Sequence, residues 1–371
     1  MTLIKVKSRG TENVGGGNRN LIINGGQQVW QRASATTTVG NSAYNTVDRF
    51  RFYVSGGGAY TSTRSDDVPS GQGFGFSNKL DVTTADTSVA AGDFYVFKQR
   101  LEGSDCMPLA YGSSDAKTIT LSFWVKSNKT GVYSISLYKF DGTSYTYVKN
   151  YTINSANTWE KKEITITPTA GSTSFITNTA GAIANDNSHG LDVNFILSVG
   201  SNHTGGTDNS WSSNLNHYAT SSNINWMDST SNNFYITGVQ LEVGSVATDF
   251  SHRTFAEELS LCQRYFYKVQ GSSSDRLGIG GYVVGATEAR MDVVFPVSMR
   301  AAPTISGTGT AQFDGHSDSA DFNCSAIVID EAPTGIVSNL GIQIATSGMT
   351  NGHSGGMRFR SDGTLTFTAE L

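Results

Sequence analysis

Thr118-Ile119-Thr120-Leu121-Ser122-Phe123-Trp124-Val125-Lys126 is the stretch that decides the fold class. Ile119, Leu121, Phe123 and Val125 alternate with Thr120, Ser122, Trp124 and Lys126. Successive side chains of a strand point to opposite faces. The first set therefore belongs in a core and the second on an open or partly covered face. Tyr133, Ile135 and Leu137 repeat the pattern, as do Ile164 and Ile166 after Trp159, and Val193, Phe195 and Leu197. Upstream, Asp48–Val54 sets Phe50, Phe52 and Val54 against Arg49, Arg51 and Tyr53, and Phe94–Arg100 reads as a further strand. Leu21-Ile22-Ile23 reads as a strand ended by the turn dipeptide Asn24-Gly25, with Gln28–Arg32 as its successor. Phe234–Leu241 closes the series. Many short alternating strands predict two packed antiparallel sheets, a jelly-roll β-sandwich in an all-β protein.

Composition agrees. The chain of 371 residues has 41 Gly, only 15 % charged residues, and heavy use of Ser, Thr and Asn. Turn-formers and β-branched residues dominate, which suits strands joined by polar loops. Lys plus Arg number 26 and Asp plus Glu 31, for a net charge of −5. There is neither a basic bulk for nucleic acid nor an acidic tail. Met1–Gly10 has no apolar h-region, and no 18-residue apolar run occurs, so neither a signal peptide nor a membrane span is expected. Cys106, Cys262 and Cys324 are odd in number and widely spread, so they read as small buried hydrophobes rather than a disulfide framework or a zinc site.

Four segments follow from the pattern. Residues 1–19 read as an arm, with Lys5, Lys7 and Arg9 alternating with Ile4, Val6 and Ser8 before Gly15-Gly16-Gly17. Such a segment either pairs with another chain's sheet edge or is a disordered tail. As an arm, it would anchor the protein to a particle through Lys5, Lys7 and Arg9. Residues 20–253 form the sandwich. Residues 254–268 carry one helix, Phe255–Lys268. Thr254 and Glu257 form its capping box, and Phe255, Leu259, Cys262 and Phe266 its apolar stripe. Residues 269–371 return to β. Met357–Arg360 and Leu365–Phe367 read as a final hairpin about Ser361-Asp362-Gly363.

Catalytic motifs are thin. Gly352-His353-Ser354-Gly355-Gly356 fits G-x-S-x-G, but a nucleophile elbow needs a helix after the Ser and a His further on, and neither is expected here. No two His fall at ligand spacing, and no phosphate-binding loop appears. A paired-carboxylate glycosidase leaves no mark in sequence, and nothing points to one. The aromatic residues remain. Sugars stack their C–H faces on flat rings while amides bind the hydroxyls. Trp211, Tyr218 and Trp226 lie in the Ser-, Asn- and Gly-rich stretch Ser201–Asn233, and Trp124 is on the non-core side of its strand. Each is a glycan-binding candidate. Each has a structural alternative: the first three pin their loop to the sandwich, and Trp124 packs beneath a loop or a neighbouring subunit. Trp30 and Trp159 read as packing residues.

Several segments carry a resemblance. Asn20–Gly25, Gln28-Val29-Trp30-Gln31-Arg32 and Val47-Asp48-Arg49-Phe50 resemble the opening of tail-fibre and related virion proteins of tailed phages, especially marine cyanophages. Phe234–Ser245, Phe250-Ser251-His252-Arg253 and Glu257–Phe266 are similar to the sandwich's end and exit helix in those proteins, and Phe295–Thr304 and Ala369-Glu370-Leu371 extend the likeness. The resemblance implies a sandwich like that of carbohydrate-binding modules, residence on the virion, other virion proteins as partners and often a homotrimer. It carries over no sugar-contacting motif. The function expected is a tail fibre or receptor-binding protein, not an enzyme, that contacts host surface polysaccharide. A capsid-decorating or head-fibre role and a glycan depolymerase are the alternatives. No cofactor is expected. Sandwiches of this type often hold a structural calcium, although no dense Asp cluster marks a site here.

Overall fold

The computed structural model describes residues 19–36, 43–272, 275, 281–308, 311–315, 320–323, 326–330, 335–345, 347–359 and 363–371. Lys5, Lys7 and Arg9, with almost all of the expected arm, lie outside these residues, as does Cys324.

The deciding stretch becomes the strand Ile119–Ser127, and Ile119, Leu121, Phe123 and Val125 are all fully buried. It belongs to a set of twelve strands: β1 (Ala35–Thr36), β2 (Phe50–Ser55), β3 (Ala59–Ser65), β4 (Ser77–Thr84), β5 (Phe94–Glu102), β6 (Ile119–Ser127), β7 (Gly131–Lys139), β8 (Tyr145–Ile153), β9 (Glu160–Ile166), β10 (His189–Val199), β11 (Ser210–Ser212) and β12 (Asn233–Val243). They form two six-stranded sheets, ordered β1-β3-β4-β12-β6-β9 and β11-β8-β7-β10-β5-β2. Every pairing in them is antiparallel. Sequence neighbours such as β2 and β3, or β5 and β6, sit in opposite sheets, which gives the jelly-roll sandwich expected.

The inward sets interlock between the sheets. Phe123 of β6 meets Phe195 of β10 edge-on at 5.0 Å, and Phe52 of β2 meets Tyr60 of β3 at 6.0 Å. Each such ring contributes about 1.5–3 kcal/mol by leaving water. The outward set of β6 is covered as well. Thr120, Ser122 and Lys126 are all buried; Thr120 donates to the Gly244 carbonyl at 2.8 Å, and Lys126 pairs with Asp67.

The chain's opening departs from expectation. Leu21–Ile23 is a turn and not a strand, and Gln28–Arg32 joins no sheet. Side chains supply the bonds that a ladder would have supplied. Asn20 Oδ1 accepts from the Ile22 and Leu241 amides at 2.9 and 3.0 Å. Asn24, with φ of 59°, accepts from the Gln28 and Val29 amides at 2.8 and 2.9 Å and donates to Val29 and Asp48 carbonyls. Asn and Asp compete with regular structure in this way, and Asn tolerates the left-handed region.

The helix α1 (Phe255–Gln263) starts as expected. Thr254 Oγ1 accepts from the Glu257 amide at 3.3 Å, and the Glu257 carboxylate accepts from the Thr254 amide at 2.8 Å. It ends five residues earlier than the expected Lys268, because from Phe266 the backbone pairs in a sheet. The apolar stripe is corrected accordingly. Cys262 is buried and Leu259 partly so, but Phe255 is 57 % exposed and Phe266 opens a strand. The most buried charge on the helix is Glu258, held by Arg253 at 3.1 Å and by the Asn24 amide.

Ten strands follow: β13 (Phe266–Gly271), β14 (Gly281–Gly285), β15 (Glu288–Met299), β16 (Thr304–Thr308), β17 (Ala311–Gly315), β18 (Ala320–Asn323), β19 (Ala326–Ile329), β20 (Val337–Ala345), β21 (Ser354–Phe359) and β22 (Gly363–Thr368). They make a three-stranded sheet, β13-β22-β16, and a seven-stranded sheet, β18-β17-β21-β14-β15-β20-β19. The core here is separate, built on Met291, Val293, Phe295, Met357 and Phe367. β21 and β22 do not form the expected hairpin. β22 instead fills the gap between β13 and β16, where Phe367 stacks on Tyr267 at 6.1 Å and meets Phe295 at 5.1 Å.

A charged seam joins the halves. Glu370 binds Arg32 at 2.7 Å and also the fully buried Arg49, whose guanidinium lies over the Tyr265 ring at 3.3 Å. Arg32 also holds Asp48 at 2.7 Å, Arg264 grips Glu102 through two bonds of 2.8 and 2.7 Å, and Arg300 donates to the Ala369 and Asn187 carbonyls at 2.8 and 2.7 Å.

Candidate functional site

The outward side of the second sheet carries a groove of about 220 Å³. Alternation puts its floor there. While Phe50, Phe52, Phe97, Val193 and Phe195 face the core, the residues between them face out. β2 supplies Tyr53, β5 supplies Val96, Lys98 and Arg100, β10 supplies Asp192 and Asn194, and β7 supplies Tyr138. Register sets Arg51 of β2 opposite Lys98 of β5, and Asp192 between Arg100 and Tyr138. Phe140, His189, Leu215, Asn216 and Tyr218 form the rim.

Aromatic rings stand at both ends. At one end Tyr53 stacks on Phe94 at 4.3 Å and Tyr218 on His203 at 4.9 Å, over a small apolar base of Val96, Ile196 and Ala219. At the other, Phe140 stacks on His189 at 4.3 Å beside Tyr138, and Phe140 is 47 % exposed. Between them Asp192 is shared. It accepts from Lys98 at 2.8 Å and contacts His189 at 2.5 Å, and Arg100 lies 3.5 Å away. Burial on its own would raise the Asp192 carboxyl. Lys98, His189 and Arg100 overcome that and hold it well below the usual carboxylate range. The cations remain in excess. Burial, reinforced by Arg100 and Arg51, lowers Lys98 despite its carboxylate partner, and burial with Arg100 lowers Arg51.

Two sequence candidates are corrected. Trp211 and Trp226 are 2 % and 0 % exposed, so neither offers a ring face to a ligand. Trp211 packs on Tyr147 and Tyr111 and donates to the Thr167 carbonyl at 3.0 Å; Trp226 packs on Tyr60 and donates to the Asn233 carbonyl at 3.1 Å. They pin the Ser201–Asn233 segment, which contains β11 and short 3₁₀ turns at Ser201–His203 and Trp226–Asp228. Tyr218, from the same segment, reaches the groove. Trp124 lies half-buried on the outer face of the other sheet, beside the β12 bulge at Gly238. A Cβ built on Gly238 (φ +62°) would sit 2.5 Å from Phe74 and 3.0 Å from Trp124, so loop packing covers that site. Trp124 and Tyr218 therefore do not share a surface.

Alternation places Tyr53 on the non-core face of its strand, but the sequence marks neither it nor Lys98, Tyr138 or Asp192 as a site residue. Their signal was the polar register of strands whose apolar register had been recognised; an aromatic there faces out and has no core to fill.

Glycoside hydrolysis by two carboxylates needs a pair about 5–10 Å apart. Asp192 is the one carboxylate among the residues that line the groove. Ser354 of the G-x-S-x-G match opens β21, with no helix following it. Among the described residues no group of three His, Cys, Asp or Glu could hold a metal ion, and no helix is long and apolar enough to cross a membrane.

No family model matches the chain, and no curated protein matches it. Solved structures do. The enzymatically active domain of bacteriophage CBA120 tailspike protein 4 is 14 % identical, with 61 % of this chain and 22 % of that one covered and a TM-score of 0.31. A CBM4 structure is 14 % identical, with 60 % and 98 % covered and a TM-score of 0.29. The family 11 carbohydrate-binding module from Clostridium thermocellum, in complex with a β-1,3-1,4-mixed-linked tetrasaccharide, is 11 % identical, with 57 % and 97 % covered and a TM-score of 0.29.

Proposed function

We propose that this is a non-catalytic, glycan-contacting structural protein of a tailed-phage particle, a tail fibre or receptor-binding protein, and that it engages host surface polysaccharide through the groove on the second sheet. The groove carries the reading: exposed and half-buried rings at both ends, with amide and charged groups between them. Rings can stack on the C–H faces of sugars, and Asn194 and Asn216 can bind hydroxyls. The phage assignment is supported by the segments that resemble tail-fibre proteins. The same resemblance supports a trimer, with other virion proteins as partners.

The test is direct. Folded protein, checked by circular dichroism and light scattering, is titrated with host polysaccharide and its oligosaccharides. Binding at micromolar concentration is expected, and Tyr53→Ala or Tyr138→Ala should weaken it roughly fivefold, since an aromatic contact is worth about 1 kcal/mol. Absence of binding at those concentrations would overturn the glycan-contacting role. Cryo-electron microscopy of the particle tests the position: density on the tail is expected, and density on the head would replace this reading with capsid decoration.

A further inference from the structure

We propose that the groove selects saccharides bearing an anionic group, a carboxylate or a sulfate, over their neutral counterparts. The proposal rests on the glycan-contacting reading above and names the class of sugar. Its basis is a charge imbalance fixed by sheet register. Lys98 and Arg100 on β5 and His189 on β10 line the groove and share one carboxylate among its described lining residues, Asp192, while Arg51 on β2 lies beside the groove, opposite Lys98 in the ladder. Glu102 and Glu370 are engaged elsewhere, Glu102 by Arg264 and Glu370 by Arg32 and Arg49.

Among the described residues Arg51 Nε and Nη1 are buried without a hydrogen-bond partner, and Arg100 Nε has only the long 3.5 Å approach of Asp192. Buried polar groups are rarely left so, and each costs free energy until something accepts from it. Neutral hydroxyls could accept one bond each but would leave the excess charge in place. A carboxylate or sulfate offers several acceptor oxygens and the opposite charge, and a guanidinium binds such groups through paired, charge-assisted bonds. The flanking rings, Tyr53 at one end and Tyr138 and Phe140 at the other, would meanwhile hold the sugar's apolar faces. The whole chain is acidic, with a net charge of −5, so general attraction to polyanions is not the source of such binding.

The experiment uses the full chain and three matched pairs of probes: oligogalacturonate and its methyl ester, dextran sulfate and dextran, and sialyllactose and lactose. Affinity is measured by calorimetry at two salt concentrations. Expected is at least one pair in which the acidic member binds roughly tenfold or more tightly, with the gap shrinking at high salt. Arg100→Gln, in the groove lining, should close most of that gap, and Arg51→Gln, beside the groove, should narrow it; among the described residues neither side chain donates a hydrogen bond that the substitution would break, and the melting temperature checks the fold. If neutral members bind as well as acidic ones, selection for anions is overturned while glycan contact stands. If none of the six binds at millimolar concentration, selection for anionic saccharides falls, and the host-polysaccharide titration above decides glycan contact separately. If the acidic preference persists unchanged in Arg51→Gln and Arg100→Gln, the assignment to this groove is overturned.

Discussion

At the scale of single residues, aromatic side chains do opposite work inside the sandwich and on its outer face. Trp226 and Trp211 are core residues, so Trp226→Ala should cost about 3–5 kcal/mol of stability, read by urea denaturation, while leaving the affinity of the folded fraction unchanged. Tyr53→Ala should do the reverse. The sequence told which positions of β2 and β6 face inward, because alternation reports burial directly. It could not tell Trp211 from Tyr218, since both sit in a polar segment without periodicity and only the fold decides which ring turns inward. Asp48 offers a second residue-level test. Burial outweighs Arg32 and the Gln31 amide and pushes its carboxyl up to about 6 from 3.8. A raised folded-state value means that the native state holds the proton more tightly. The contribution of Asp48 is then most favourable below about pH 4 and is lost as pH rises through 6, by at most roughly 3 kcal/mol. Asp48→Asn should remove that part of the slope in denaturation measured between pH 4 and 7. Its carbon resonance in the wild type should titrate near 6; a midpoint near 4 would refute the account.

At the scale of elements, local rules held wherever the signal was local. The Thr254 capping box is present as read, and Thr254→Ala should cost about 1 kcal/mol, with loss of protection confined to α1 and the Asn24 turn in hydrogen exchange. The helix's far end was not legible, because what stops it is a strand partner about a hundred residues away: Phe266 pairs with Thr368. The misread hairpin at β21 and β22 has the same origin. Sequence proximity suggests pairing, and the free edges of β13 and β16 overrule it. Asn20 and Asn24 explain the lost strands at the opening, since an apolar run with an Asn at each end can be folded into a turn by its own side-chain amides. The groove was half legible. Alternation sets Arg51 and Tyr53 on the outward face of β2, but their meeting with Lys98 and Asp192 depends on sheet order, which no single strand encodes; Arg49, read as outward with them, is instead buried in the seam against Glu370 and Tyr265.

At the scale of the molecule, the segments that carry the family resemblance converge. Asn24, Arg32, Asp48, Arg49, Arg253, Glu258 and Glu370 come from four stretches of sequence and lie at or beside the seam between sandwich and C-terminal sheets. These residues form a joint between the halves and not a binding surface. Glu370→Gln leaves Arg49 buried without its counter-charge and should cost about 3–5 kcal/mol. Calorimetry should then resolve two unfolding transitions in place of one; a single transition at an unchanged temperature would show that the seam does not couple the halves. The position of β22 in that seam also sets a schedule for synthesis. β13 and β16 emerge from the ribosome long before Gly363–Thr368 and stay apart until that strand arrives to pair with both. Throughout the interval their backbone edges are open to other nascent chains, the condition under which strands swap or aggregate. A chain halted before Gly363 would keep those edges open for good, so translation through the last strand is the step on which solubility of the C-terminal half depends.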